Sequence, residues 1–273
     1  MISIITTSYN QLGTLKLLLA SLERQTVRDF EVVVADDGSS DGTAEFCTQY
    51  RALPLVFVTQ PDDGYRKARI CNEALSRSRG DYLVFLDSDV IVAKTFLEDH
   101  LALRREGAYV CGRRVDLGPE FTRSVSEDQV RSGFYDGLRM ALILSAWRGD
   151  TEGWKRAWRV TTPWLRRVMG YGRPIDILGS NFSAWKTDML EVNGFNEALE
   201  AYWGEDGDLF VRLRNSGKRA INGKGMCVQY HVFHKRRAPT PGNVALVAEK
   251  LKRTDYTRAE KGYSARFSAT PGR

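Results

Sequence analysis

The chain has 273 residues, 42% of them apolar and 27% charged, and a net charge of +6; these are the proportions of a soluble globular protein with enough chain for one large α/β domain or two small ones. No apolar run approaches the roughly 18 residues needed to span a bilayer, and the opening Met1-Ile2-Ser3-Ile4-Ile5 lacks the basic region of a secretory leader. Cys47, Cys71, Cys111 and Cys227 form no C-x-x-C pair and read as reduced, mostly buried thiols of a cytoplasmic protein.

Residues 2–7 are a β-branched strand that Ser8-Tyr9-Asn10 ends. Leu12, Leu15, Leu18, Leu19 and Leu22 then recur at helical spacing, which predicts an amphipathic helix over about 12–25. A second strand, 30–35, runs into the turn-rich Asp36-Asp37-Gly38-Ser39-Ser40-Asp41-Gly42, followed by a helix over about 43–51. Residues 55–58 are the third strand, and Gly64-Tyr65-Arg66-Lys67-Ala68-Arg69 opens a helix that reaches Ser78. Tyr82-Leu83-Val84-Phe85-Leu86, five apolar residues in a row, reads as a buried strand of a parallel sheet. Strand and helix in alternation with short connections predict parallel pairing and right-handed crossovers.

After Asp89 the alternation changes. A helix is expected over 93–105 and a strand over 108–112, then a helical, aromatic and basic stretch with no clear strand over about 113–173. Residues 175–185 return to strand-like composition, a short helix covers 187–191, and a further helix contains Leu209, Phe210, Val211 and Leu213. Residues 227–234 are a last strand. From Lys235 to Arg273 ten Lys/Arg face three Asp/Glu, a charge suited to nucleic acid, anionic membrane or phosphorylated substrates.

The chemistry gathers at strand ends. In a parallel sheet Asp36-Asp37 and Asp87-Ser88-Asp89 emerge on the same edge, where ligands of open α/β sheets sit. Two carboxylates one residue apart repel unless a cation lies between them, so Asp87 and Asp89 are candidate ligands for Mg²⁺ or Mn²⁺. Asp36 is placed to accept from a ribose hydroxyl or a base N–H. Arg66, Lys67 and Arg69 stand at a helix start that favours anions, or else form a solvated face. No G-x-G-x-x-G follows the first strand and there is no Walker lysine, so neither a dinucleotide site nor a P-loop is supported. His231 and His234 are candidate metal ligands, His231 being preferred on spacing. Trp147, Trp154, Trp158 and Trp164 interleave with Arg148, Lys155, Arg156, Arg159, Arg166 and Arg167. That pattern suits a membrane interface, a sugar face, single-stranded nucleic acid or a helix packed on the domain.

The motifs "SIITTSYN", "VVVADDGSSDGT", "FLDSDV" and "WGEDGDL", in this order, resemble the inverting family 2 glycosyltransferases of GT-A fold. The resemblance covers about residues 2–234. It implies an α/β, Rossmann-like nucleotide-diphospho-sugar transferase fold with a mostly parallel central sheet. It implies a donor set of Thr6, Tyr9, Asp36, Asp37, Arg66, Arg69, Asp87, Ser88 and Asp89, with the metal on Asp87 and Asp89. Asp206 is then the general base, and Glu205, Asn181, Trp203 and Gly204 meet the acceptor. The segment "HVFHKRR" is similar to one in polypeptide N-acetylgalactosaminyltransferases whose first His binds metal. "GSNFSAWKTDMLEVNGFNE" followed by "WGEDGDL" resembles the C-terminal module of β-1,4-galactosyltransferases. The region around Gly64 departs from the plainer Gly-x-x-x-Ala-Arg-Asn of many relatives, although Ala68-Arg69 and Asn72 preserve part of it.

The expectation is therefore a nucleotide-sugar half over 1–112, an acceptor and base half over 113–238, and a basic, partly helical tail over 239–273. The expected reaction moves a sugar, with inversion, from a nucleotide sugar (a UDP-sugar) to a glycan or lipid-linked acceptor in surface polysaccharide assembly. The expected setting is cytoplasmic, peripheral to an anionic membrane, with no nucleic acid as partner. The alternatives are a sugar-1-phosphate nucleotidyltransferase and a carbohydrate- or nucleic-acid-binding protein without turnover.

Overall fold

Runs of β-branched residues set the central strands. β1 (Ile2–Ser8), β2 (Phe30–Asp36), β3 (Leu55–Thr59) and β4 (Tyr82–Asp87) pair in parallel in the order β3-β2-β1-β4. The structure, a computed structural model, describes residues 1–137, 139–235 and 238–267.

Alternate residues of these strands face opposite layers. Ile4, Val32 and Val84 pack under Leu15, Leu18, Leu19 and Leu22 of the helix Leu12–Leu22. Ile5, Val33 and Phe85 pack under Ala68, Ile70, Cys71, Ala74 and Leu75 of the helix Lys67–Arg77. A sheet covered on both faces needs apolar residues at every position, which is why these strands read as unbroken hydrophobic runs. All four cysteines are buried and free.

The rest of the chain adds β5 (Val90–Val92), β6 (Ala108–Cys111), β7 (Arg114–Asp116), β8 (Phe182–Trp185), β9 (Arg219–Asn222) and β10 (Gln229–His231). The large sheet continues from β4 through β8 and β6 to β9, with β8 antiparallel to both its neighbours. A second sheet of three strands, β5-β10-β7, places β10 antiparallel to β5 and parallel to β7.

Three expectations need correction. β5 and β9 lie where no element is expected, and β7 lies in a stretch read as strand-free. Of 175–185 only the last four residues are strand, because Gly179 and Ser180 turn the chain before it enters the sheet. The helix expected from 93 begins at Phe96. The C-terminal tail packs on the rest of the chain. Its helix Pro241–Lys250 buries Val247 and Asn243, and Tyr256 and Ala259 beyond it are also buried. Arg236, Arg237 and residues 268–273 of that tail lie outside the described residues. Among the described residues no helix is long and apolar enough to cross a membrane.

Candidate active site

Register brings the acidic groups to one edge. Ser8 at the end of β1 sits opposite Asp36, and Thr7 sits opposite Asp87. Above that edge opens a cleft of about 800 Å³, lined among others by Tyr9, Asp37, Lys67, Asp87, Asp89, Trp203, His231 and His234.

The two aspartates of the D-x-D pair have different partners. Asp87 Oδ1 accepts from the Thr7 hydroxyl at 2.9 Å and pairs with Lys67 Nζ at 2.9 Å. Lys67 also reaches Glu205 Oε1 at 3.3 Å, and the Tyr65 hydroxyl donates to the same oxygen at 3.0 Å. Burial alone would lower the Lys67 amine, but Asp87 and Glu205 outweigh it and hold it well above its ordinary value.

Asp89 turns to the histidines instead. Its Oδ2 lies 2.9 Å from His234 Nε2 and 3.6 Å from His231 Nε2, and the two Nε2 atoms are 3.2 Å apart. The three side chains offer ligand atoms that all lie within 4.8 Å of one another. Burial would raise the Asp89 carboxyl, yet the hydrogen bonds from His231 and His234 hold it well below the usual carboxylate range. Asp89 Oδ1 is buried and has no hydrogen-bond partner among the described residues, so it is available to a cation. Asp116 Oδ1 stands 3.4 Å from His231 Nδ1, on the far side of the ring. A carboxylate there orients a metal-binding imidazole and fixes its tautomer. Two imidazoles and a carboxylate with a spare oxygen fit a divalent metal. The small sheet builds this group, since His231 is registered opposite Val90 on one side and Asp116 on the other.

The other expected residues divide. Asp37 borders the cleft, where it accepts from the Gln60 amide and, at 2.9 Å, from the Arg66 backbone N–H. Asp36 is buried and folds its own turn, its Oδ2 accepting from the N–H groups of Gly38 and Ser39 and from the Thr59 hydroxyl. Its Oδ1 and the Thr6 hydroxyl are buried with no partner among the described residues. Ser88 is buried and donates to Gln11 at 2.8 Å. Gly204, at φ +113°, caps the helix Glu205–Asn215, and Trp203 before it sits at φ +82° with its ring partly exposed at the cleft mouth. Asp206 lies just behind and accepts from the Gly179 N–H at 2.7 Å. Burial, and then the charge of Glu205, push its carboxyl up to about 7.

Three residues are not where the sequence reading put them. Asn181 is wholly buried; its amide donates to the Arg113 and Cys227 carbonyls and its oxygen faces His100, so it has no atom left for an acceptor. The Arg66 guanidinium is turned onto the Pro61 carbonyl and Asp63. Arg69 lines a separate groove beside β3. In the tryptophan segment, Arg159 pairs with Asp99, Arg166 donates to three backbone carbonyls, and Arg156 donates to the Arg114 carbonyl, so half of those cations hold the fold. Trp147 and Trp164 are 85% and 67% exposed, so their rings are not on the face with which their helices pack on the domain.

Reading the sequence missed Asp116, Tyr65 and Tyr202. The last two meet edge to face at 5.6 Å and form an aromatic wall of the cleft. No motif flagged them; the only signal was an aromatic after Gly64 and another before Trp203.

A mostly parallel central sheet with an acidic cleft at the ends of its strands places the fold in the GT-A class. Solved structures agree: TarS of S. aureus in complex with UDP-GlcNAc superposes with a TM-score of 0.62 at 18% identity, covering 93% of this chain and 67% of that one. A mannosyltransferase from Pyrobaculum calidifontis in complex with GDP-Man and Mn²⁺ gives 0.57 at 18% identity, over 91% and 68%. The family model "Glycosyl transferase family 2" matches residues 3–159, and "N-terminal domain of galactosyltransferase" matches 168–235. The chain belongs to glycosyl transferase family 2. Among curated relatives, a validoxylamine A glucosyltransferase of Streptomyces hygroscopicus subsp. jinggangensis is 36% identical over 80% of this chain and 52% of its own. The uncharacterized glycosyltransferase YfnE of Bacillus subtilis is 27% identical over 79% and 60%. The chain thus spans between half and three-fifths of the length of these relatives.

Proposed function

We propose that this protein transfers a sugar from a nucleotide sugar, a UDP-sugar, to a hydroxyl of a glycan or lipid-linked acceptor, with inversion at the anomeric carbon. The observation that carries the reading is the meeting of Asp89, His231 and His234 in one cleft with Asp37, Asp87 and the Trp203 loop. Asp89, His231 and His234 would hold a divalent cation, with Asp87 behind them committed to Lys67. A mixed imidazole–carboxylate set suits Mn²⁺ better than Mg²⁺, which prefers oxygen alone. Such an ion supplies neutralising charge to the leaving nucleoside diphosphate.

In this reading Asp37 and the buried Asp36 turn hold the nucleoside, and residues 1–112 form the donor half. Residues 113–238 form the acceptor half, with Trp203 as a stacking surface for the acceptor sugar. Asp206 takes the proton as the acceptor oxygen attacks the anomeric carbon and the bond to the diphosphate breaks, its electron pair leaving with the phosphate. A carboxyl near 7 is well matched to that work. Residues 239–267 of the basic tail brace the acceptor half. Surface polysaccharide assembly at the cytoplasmic face of a membrane is the proposed setting, and the exposed Trp147 and Trp164 supply the contact with anionic lipid.

The test is a donor screen. Slow hydrolysis of UDP-, GDP-, dTDP- and CMP-sugars is scored with Mn²⁺, after EDTA, and after Mn²⁺ is restored. Turnover of a UDP-sugar that stops in EDTA and returns with Mn²⁺ is expected. Full turnover by metal-free protein overturns the metal assignment, and preference for another nucleotide overturns the donor.

A further inference from the structure

The helix Lys67–Arg77 carries Arg69, Glu73 and Arg77 four residues apart, hence on one face. That face borders β3, the open edge of the large sheet, and between them runs a groove of about 440 Å³. Its floor is the continuous stretch Val56–Pro61, and Arg266 closes it from the C-terminal segment.

Three guanidinium groups here face one carboxylate. Arg77 Nε is 3.3 Å and Arg266 Nη2 3.1 Å from Glu73, so both share that single charge. Arg69 has none. Its Nε is buried, and among the described residues its guanidinium has no hydrogen-bond or ion-pair partner. A buried charged donor left unpaired is costly, and the natural acceptor is an anion with several oxygens that can meet a guanidinium fork.

We propose that this groove is an anion site, separate from the donor cleft, in which Arg69 binds a phosphoryl group flanked by Arg77 and Arg266. The phosphoryl group has two sources that share this chemistry: a free phosphorylated small molecule, or one unit of a polyanionic chain lying along β3. Five residues of strand offer roughly 17 Å of length, enough for a chain to extend across several residues.

The experiment measures binding of inorganic phosphate and, separately, of a short linear polyphosphate to the full chain by calorimetry. Each titration is run with and without saturating UDP. Arg69→Gln, Arg266→Gln and the unaltered protein are compared after their melting temperatures are shown to agree. Binding of inorganic phosphate that persists with UDP and weakens about tenfold in Arg69→Gln supports the site as one for a free small anion. Polyphosphate binding at least tenfold tighter than phosphate, with the same sensitivity to Arg69, supports the polyanion. Absence of binding by both probes overturns the proposal. Binding that is unchanged in both variants does so as well, as does a loss of UDP affinity in Arg69→Gln equal to the loss for phosphate.

Discussion

At the scale of single residues, the division of labour between Asp87 and Asp89 is the informative detail. The two are one position apart in sequence, yet one is tied to Lys67 and the other faces two imidazoles. Asp206→Asn is expected to fold and bind UDP, because an amide oxygen still accepts from the Gly179 N–H, while transfer falls by about two to four orders of magnitude. The same variant should be more heat-stable than the parent at pH 8. An acid whose folded pKa is raised to about 7 binds more protons folded than unfolded between about pH 4 and 7, so stability falls as pH rises through that window. The neutral amide escapes that loss. Melting curves at pH 5 and 8 check the sign, and a gap that narrows at pH 8 contradicts it. Asp116→Asn is expected to weaken Mn²⁺ binding by about 10- to 100-fold through loss of its hold on His231. Titration with Mn²⁺ followed by its paramagnetic signal measures this directly, and an unchanged affinity would show that Asp116 does not act through the imidazole.

At the scale of elements, the C-terminal helix Pro241–Lys250 clamps the loop that presents Trp203. Asn243 Nδ2 donates to the Ala201 carbonyl at 2.8 Å and to the Trp203 carbonyl at 2.7 Å. A β-carbon on Gly204 or Gly207 would come within 3.0 Å of Val247, so helix and loop are in close contact. Trp203 holds a left-handed backbone that costs of order 1–3 kcal/mol, and Asn243 is the side chain that fixes it. Asn243→Ala should lose about 1–3 kcal/mol of stability by leaving two carbonyls unpaired, read as a lower urea midpoint with an unchanged slope. A midpoint within experimental scatter of the parent would mean that water replaces the amide. The elements also show what could be read beforehand. The four parallel strands and their helices were legible because burial on both faces leaves a long apolar signature. β5 and β7 have three residues each, too short for any alternation to register, and they are stabilised by pairing rather than by their own composition, whereas β10 falls inside the strand expected over 227–234. Asp116 was invisible for that reason: it becomes a neighbour of His231 only through β7 pairing with β10. Asn181 was misplaced because a motif match says which residue recurs, not whether its amide faces solvent or the core.

At the scale of the whole molecule, charge and exposed aromatic surface have separated. Of the tail's ten cations, several are tied to the rest of the chain: Lys250 reaches Asp208 and Tyr256, Arg258 donates to the Leu190 and Glu191 carbonyls, and Lys261 pairs at the surface with Glu200. The apolar ridge Met140, Leu144 and Trp147, at helical spacing, remains exposed with Arg139 and Arg148 at its ends. Flotation with anionic vesicles should therefore show binding that weakens with salt and falls in a Trp147→Ser, Trp164→Ser double variant. Equal absence from anionic and neutral vesicles would rule out the membrane contact.

The three-stranded sheet has a further consequence, for the order of folding. His231 pairs with Val90, about 140 residues away in sequence, whereas β1, β2 and β4 meet through much shorter loops. Closing the longer loop carries the larger entropic cost, and distant pairings of this kind are the slow ones. The sheet of β1, β2 and β4 can thus be complete while His231 and His234 are still far from Asp89. A chain caught at that stage has a native-like core but has not yet brought the two imidazoles to Asp89.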